Sequence, residues 1–182
     1  MENDASDTRR LHLTALAVGY VRLVSEASES DPHLFTGRLL RLLAPLYVSM
    51  LELKPYGEDE GGEDYDSYDT GAILPCVTEE QYAAVAGALA TLFGQYDTYL
   101  DITVQELRYD ETPVAVSLSE QLSDIYQSLA DFATTVADAP SEAVPDILAD
   151  LKYRFHEYLA DSLCAAMKTA NLIYQSKTLV SE

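Results

Sequence analysis

Apolar residues recur at three- and four-residue steps along most of the chain, the spacing that lays one stripe on an α-helix. From Thr8 to Ala27 the stripe is Leu13, Leu16, Tyr20, Leu23, Val24 and Ala27, which predicts a first helix. After the polar run SEASESDP it resumes as Phe35, Leu39, Leu42, Leu43, Leu46, Met50 and Leu53. Pro45 lies inside that run, where it removes a backbone donor and crowds the carbonyl four residues back. The expectation is a kinked second helix or two short ones, ending before Pro55 because the residue preceding a proline avoids helical backbone.

A third helix opens at Thr78, with Gln81 three residues on in the spacing of a capping box, and runs through Tyr82, Val85, Ala86, Leu89, Leu92 and Phe93. Ser117 and Glu120 repeat that spacing, and the fourth helix follows. Its Leu118, Leu122, Ile125, Leu129, Phe132, Ala133 and Val136 fall within about 50° of one direction at ~100° per residue, with Glu120, Asp124, Asp131 and Asp138 on the opposite side. Ser141 and Pro145 open a long fifth helix, whose Leu148, Leu151, Phe155, Leu159, Ser162, Ala166 and Ile173 share a face to about Tyr174. Asp146, Asp150, Glu157 and Asp161 stack opposite that face and read as its solvent side. Between Gly94 and Val116 two patterns compete. Tyr96, Tyr99 and Leu100 continue the helical spacing to about Asp101, while ITVQELRY reads as a short extended piece. No repeat of long period is present. The prediction is an all-α single domain over 1–182, an irregular bundle of about five helices, with a disordered segment at 1–7, a long acidic surface loop at 54–77 and a frayed end at 176–182.

Composition sharpens this picture. With 182 residues, 48% of them apolar, the chain can bury a sizeable core, which argues against global disorder. Its 31 acidic and 11 basic side chains leave a net charge of −20 at neutral pH. The excess is uneven: −2 over 1–53, −12 over 54–116 and −6 over 117–182. Within the middle third, KPYGEDEGGEDYDSYD holds seven acids and no aliphatic residue. Such charge repels nucleic-acid phosphates and anionic headgroups, so the expected partner is a basic protein rather than nucleic acid or membrane. The opening MENDASDTRR lacks the charged and apolar regions of a signal peptide, and no window reads as a run of ~20 apolar residues able to span a bilayer. A cytoplasmic setting is expected. Cys76 and Cys164 stand far apart without CxxC spacing and read as plain thiols.

The acids Glu58, Asp59, Glu60, Glu63, Asp64, Asp66 and Asp69 form a candidate interaction surface. A calcium loop counted from Asp64 would require Gly at its sixth position and Glu at its twelfth, where Asp69 and Pro75 stand. A di-iron bundle needs Glu three residues before an inward His, but His12, His33 and His156 follow Arg9, Ser30 and Tyr153. Neither a Gly-x-Ser-x-Gly elbow nor a glycine-rich phosphate loop occurs, and Gly61-Gly62 stands between acids that would repel phosphate. No catalytic residue, metal or cofactor is assigned.

The stretch SLSEQLSDIYQSL, Ser117 to Leu129, resembles the signature of an uncharacterised bacterial helical family, a domain of unknown function common in gut-associated bacteria. LLRLLAPLY (Leu39 to Tyr47) and RFHEYLADSLCAAM (Arg154 to Met167) resemble the first and last blocks of that family, so the likeness covers about 8–174. Phe155-His156 stands where members often carry Trp-Gly, and Tyr158 where a His is frequent. The resemblance implies an all-helical fold and a bacterial cytoplasmic setting, and carries no activity with it. Ser117, Glu120, Asp124 and Tyr126 match the family block. The first two are accounted for as a helix cap, which leaves Asp124 and Tyr126 as a candidate binding groove. Three function classes follow: a non-enzymatic interaction or regulatory module with an acidic surface, a small-ligand binder or enzyme with an interhelical Tyr/carboxylate pocket, and a nucleic-acid mimic.

Overall fold

The apolar stripes close on one another as a ring of helices. The computed structural model, described for residues 2–53, 71–101 and 114–176, contains α1 (Glu2–Ser25), α2 (Pro32–Leu51), α3 (Glu79–Phe93) and α4 (Leu118–Asp138). It ends in α5 (Val144–Arg154) and α6 (Ala160–Gln175), which a π-helical turn over Phe155–Leu159 joins into one continuous helix. α1 packs on α2, α2 on α6, α6 on α4 and α4 back on α1, so these four enclose the core, and α3 lies outside against α4. Leu13, Ala17, Tyr20 and Val24 of α1 meet Leu39, Leu43, Leu46 and Met50 of α2 there. Leu118, Leu122, Ile125, Leu129 and Phe132 of α4, with Leu163, Ala166, Ala170 and Ile173 of α6, complete it. The all-α class read from the periodicity is the observed one.

Helix ends follow local chemistry. Asp31 caps α2 by accepting a hydrogen bond from the Leu34 amide at 2.9 Å, with Pro32 in the first turn, where a missing donor costs nothing. α2 runs unbroken across Pro45, one helix rather than two, because its buried stripe continues on both sides of the proline. Its C-terminal carbonyls are met by Lys152, whose Nζ donates to the Met50 oxygen at 3.3 Å and the Leu51 oxygen at 3.0 Å. The Thr78–Gln81 capping box is complete, with the Gln81 amide donating to Thr78 Oγ1 at 3.2 Å and the Thr78 amide to Gln81 Oε1 at 2.9 Å.

Three expectations are corrected. α1 begins at Glu2, so helical backbone covers the segment expected to be disordered. α3 does not continue past Gly94, whose φ of +52° ends it. There the β-prone Thr98 and Tyr99 enter a strand instead, β1 (Thr98–Asp101), paired antiparallel with β2 (Val114–Ser117) in the register Thr98 opposite Ser117. Lastly, Pro32–Leu51 is long and apolar enough to cross a membrane by length and composition, with a mean hydropathy of 1.3. In the fold it is a core helix: Phe35, Leu39, Leu43, Leu46 and Met50 are buried while Arg38 and Arg41 face outward. The segment 102–113 and the C-terminal residues 177–182 lie outside the described residues.

Candidate functional site

Between α2 and α3 the chain reaches residues 71–77, the described part of what the sequence presents as an acidic loop. Here it is a strap fastened to α4 and α5. The Ile73 side chain is buried, its amide donates to Asp150 Oδ2 at 2.7 Å, and its carbonyl accepts from Arg154 Nη2 at 3.1 Å. The Leu74 amide donates to Thr135 Oγ1 at 3.0 Å. Asp131 Oδ1 accepts from the amides of both Cys76 (2.7 Å) and Val77 (3.0 Å). Asp150 is 0% exposed and Asp131 4% exposed, so neither belongs to a solvent face as the helical spacing suggests. A carboxylate removed from water needs answering donors, and these two obtain backbone amides and, for Asp150, the Arg154 Nε at 3.2 Å.

Beside the strap lies an open cleft of about 440 Å³, lined by Asp124, Gln127, Ser128 and Asp131 of α4, Arg154 of α5, Tyr158 of the π-turn and Pro75 of the strap. The volume falls within the range of small-ligand sites, and its lining is polar and apolar in about equal measure. Tyr82 of α3 donates its hydroxyl to Asp124 Oδ1 at 2.7 Å, and the Tyr158 and Ser128 hydroxyls share a hydrogen bond of 3.0 Å. Burial, then the bond to the Asp124 carboxylate, pushes the Tyr82 phenol well above its ordinary pKa. Burial first and the Asp124 charge second do the same to Tyr20, whose hydroxyl donates to the Leu122 carbonyl at 2.9 Å inside the core. Burial also raises the Cys76 thiol, the leading cause there. The N-terminus of α4 is held by Asp97: Oδ1 accepts from the Ser119 amide at 2.7 Å, and Oδ2 from the hydroxyls of Ser117 (3.0 Å) and Ser119 (2.8 Å). That carboxylate sits at the positive end of the helix dipole.

Of the two groove candidates, Asp124 lines the cleft and Tyr126 does not: Tyr126 is 8% exposed and packs in the core. The candidate acidic surface of Glu58, Asp59, Glu60, Glu63, Asp64, Asp66 and Asp69 lies outside the described residues. Sequence reasoning missed Asp131, Arg154 and Tyr158. Arg154 and Asp150 stand four residues apart on one helix, a pairing visible in the sequence, but nothing local marks the strap that covers it. Among the described residues no group of three or more His, Cys, Asp or Glu side chains could hold a metal ion.

A family model for a domain of unknown function, DUF5063, matches residues 7–175. The chain belongs to the DUF5063 family. The crystal structure of protein BF1032 from Bacteroides fragilis is similar in fold, with a TM-score of 0.71, 22% identity and coverage of 94% of this chain and 96% of that one. No curated protein matches the sequence. The family likeness read from Ser117–Leu129 and its two companion blocks is thereby borne out, and as a domain of unknown function DUF5063 brings no named activity.

Proposed function

We propose that this DUF5063 chain is a non-enzymatic interaction module that holds a basic protein partner by its acidic surface. One observation carries the reading: the cleft presents the exposed carboxylate of Asp124, while the cation that lines it, Arg154, is committed to Asp150 and to the Ile73 carbonyl. The net charge of −20 adds long-range attraction for a cationic partner, which acts on association rate more than on affinity. The enzyme reading would draw on a closed apolar pocket, whereas this cleft is open.

A fluorescent lysine-rich peptide, with an acidic peptide as control, tests the proposal by anisotropy at low and moderate salt. The lysine-rich peptide is expected to bind, to lose about tenfold in affinity as salt screens the surface, and to bind more weakly when Glu58, Asp59, Glu60, Glu63, Asp64, Asp66 and Asp69 are replaced by their amides. Equal binding of both peptides, or binding indifferent to salt, overturns it.

A further inference from the structure

We infer that the outward face of the α1–α2 hairpin is a docking surface for a helix of a partner protein, one with an apolar stripe and two acids a turn apart at its edge. The inference goes beyond the interaction-module reading and does not rest on it. From Thr8 to Ser25 and from Pro32 to Leu51 the sequence holds five of the chain's 11 cationic side chains and none of its 31 acids. At ~100° per residue, Leu11, Ala15, Val18 and Arg22 of α1 fall within about 60° of one direction, turned away from the core residues Leu13, Ala17, Tyr20 and Val24. Leu34, Arg38, Arg41, Pro45 and Val48 make the matching stripe of α2, within about 80°. Gly19 faces the Leu42 side chain, whose Cδ2 lies 3.6 Å from where a Cβ would stand, so the helices touch there and the two stripes flank one seam. Leu16 and Leu42 are its half-buried floor.

The side chains of this face are unanswered. Leu11, Val18, Leu34 and Val48 are each more than half exposed, and on one two-helix face they form a patch rather than scattered singles. Arg22 is paired with Glu26 at 3.0 Å, but the side chains of Arg38 and Arg41 have no hydrogen bond or ion pair among the described residues, in a chain this rich in acids. Charge complementarity selects the occupant. Two guanidiniums three residues apart stand about 4.5 Å apart along the axis, which matches acids at three- or four-residue spacing on an opposing helix. The stripe from Leu34 to Val48 is about 21 Å long, room for about four turns of such a helix laid along the seam with its apolar side chains on the Leu16 and Leu42 floor. A nucleic-acid duplex has no use for the aliphatic part of the face. An anionic bilayer is a plane of charge that the net −20 opposes across its whole width, whereas a helix carrying two acids and few other charges is repelled little.

The test is calorimetric titration of the full chain with a helical peptide of about 14 residues, bearing leucines at three- and four-residue steps, two glutamates four apart at the edge of that stripe and glutamine elsewhere. A scrambled peptide of the same composition is the control. The striped peptide is expected to bind and the scrambled one not to. Arg38→Glu combined with Arg41→Glu should weaken the striped peptide about tenfold and shift preference to a version with lysines in place of the glutamates, an exchange that loss of structure cannot produce. Val18→Ser should weaken it about fivefold, while Leu172→Ser, an exposed position on α6, leaves it unchanged. All four positions are exposed, so the melting curves of the variants should match the parent's. Equal binding of striped and scrambled peptides, or indifference to the double charge reversal, overturns the inference. Phosphatidylglycerol vesicles that bind through Arg38 and Arg41 where the peptide does not, or self-association in sedimentation that the double reversal relieves, overturn the partner helix as the occupant. The lysine-rich peptide should bind the double-reversal variant as it binds the parent, so the two readings fail separately: its failure to bind overturns the module and leaves this face standing.

Discussion

Single side chains settle where this domain spends its charge. An ionised carboxylate taken from water is tolerated when donors answer its oxygens, and Asp131 and Asp150 are answered by the amides of Cys76, Val77 and Ile73. Both occupy polar positions of an amphipathic pattern, so in the sequence they are indistinguishable from solvated acids such as Asp138. What buries them is a contact across more than 50 residues, which no local window contains. Tyr82 and Tyr20 are the titrating counterpart. Each is folded as a neutral phenol with its pKa raised, mainly by burial, against a value near 10 in the unfolded chain. The folded state therefore binds these protons more tightly than the unfolded one. Their contribution is intact below about pH 10 and is lost as pH climbs beyond that towards the raised folded values. Alkaline titration should show the tyrosinate absorbance of both residues arriving together with loss of helical circular dichroism. Tyr82→Phe removes one of them from that coupled step and costs about 1 kcal/mol at neutral pH, the worth of one hydrogen bond. Ionisation of Tyr82 near pH 10 with the helices intact would refute the assignment.

At the scale of elements, most of the fold is legible. α4 is readable because its apolar stripe alternates steps of three and four, and the Thr78–Gln81 box is readable because both partners are local. The Ser117–Glu120 pair is half right: Ser117 accepts from the Glu120 amide, but Asp97 from outside the helix supplies most of the cap. The fifth helix hides its departure in plain spacing. Buried Leu151, Phe155, Leu159 and Leu163 follow one another at three successive steps of four, which drifts about 120° around a regular helix. A wider turn absorbs that drift, and the π-turn over Phe155–Leu159 is where it happens, with the Ala160 amide bonding the Phe155 carbonyl. The same turn places Tyr158 on the cleft. Deleting the exposed Glu157 returns the spacing to alternating fours and threes, so a regular helix then presents the same core residues. The deletion is expected to retain helical content and cooperative melting, at a cost of roughly 1 kcal/mol for the Ser128–Tyr158 bond. Deleting Gln127 from α4, which has no such turn, rotates Leu129 and Phe132 about 100° off the core and should unfold the protein. Comparable melts for the two deletions would show that the π-turn absorbs no register.

Over the whole molecule the charge divides into a share the fold consumes and a share left to repel itself. Asp97, Asp131 and Asp150 are consumed as caps and clamps, yet the net −20 is unchanged by hydrogen bonds to neutral amides. The first 53 residues carry only −2, so α1 and α2 sit near neutrality while the remainder of the chain holds the excess. Self-repulsion of this kind opposes the compact state and is screened over about 10 Å at 0.1 M salt. The melting temperature should therefore rise by several degrees between low and moderate sodium chloride, and amide replacement of the seven acids at 58–69 should reproduce much of that gain at low salt. Salt and partner then act with opposite signs: the ionic strength that stabilises the free domain weakens its hold on a cationic ligand. Melting curves recorded with and without the lysine-rich peptide separate the two effects, because the ligand's upward shift shrinks with salt as the free protein's midpoint climbs. A midpoint that falls or stays fixed as salt is added would mean that the acids are already paired, and the attraction for a basic partner would lose its physical source.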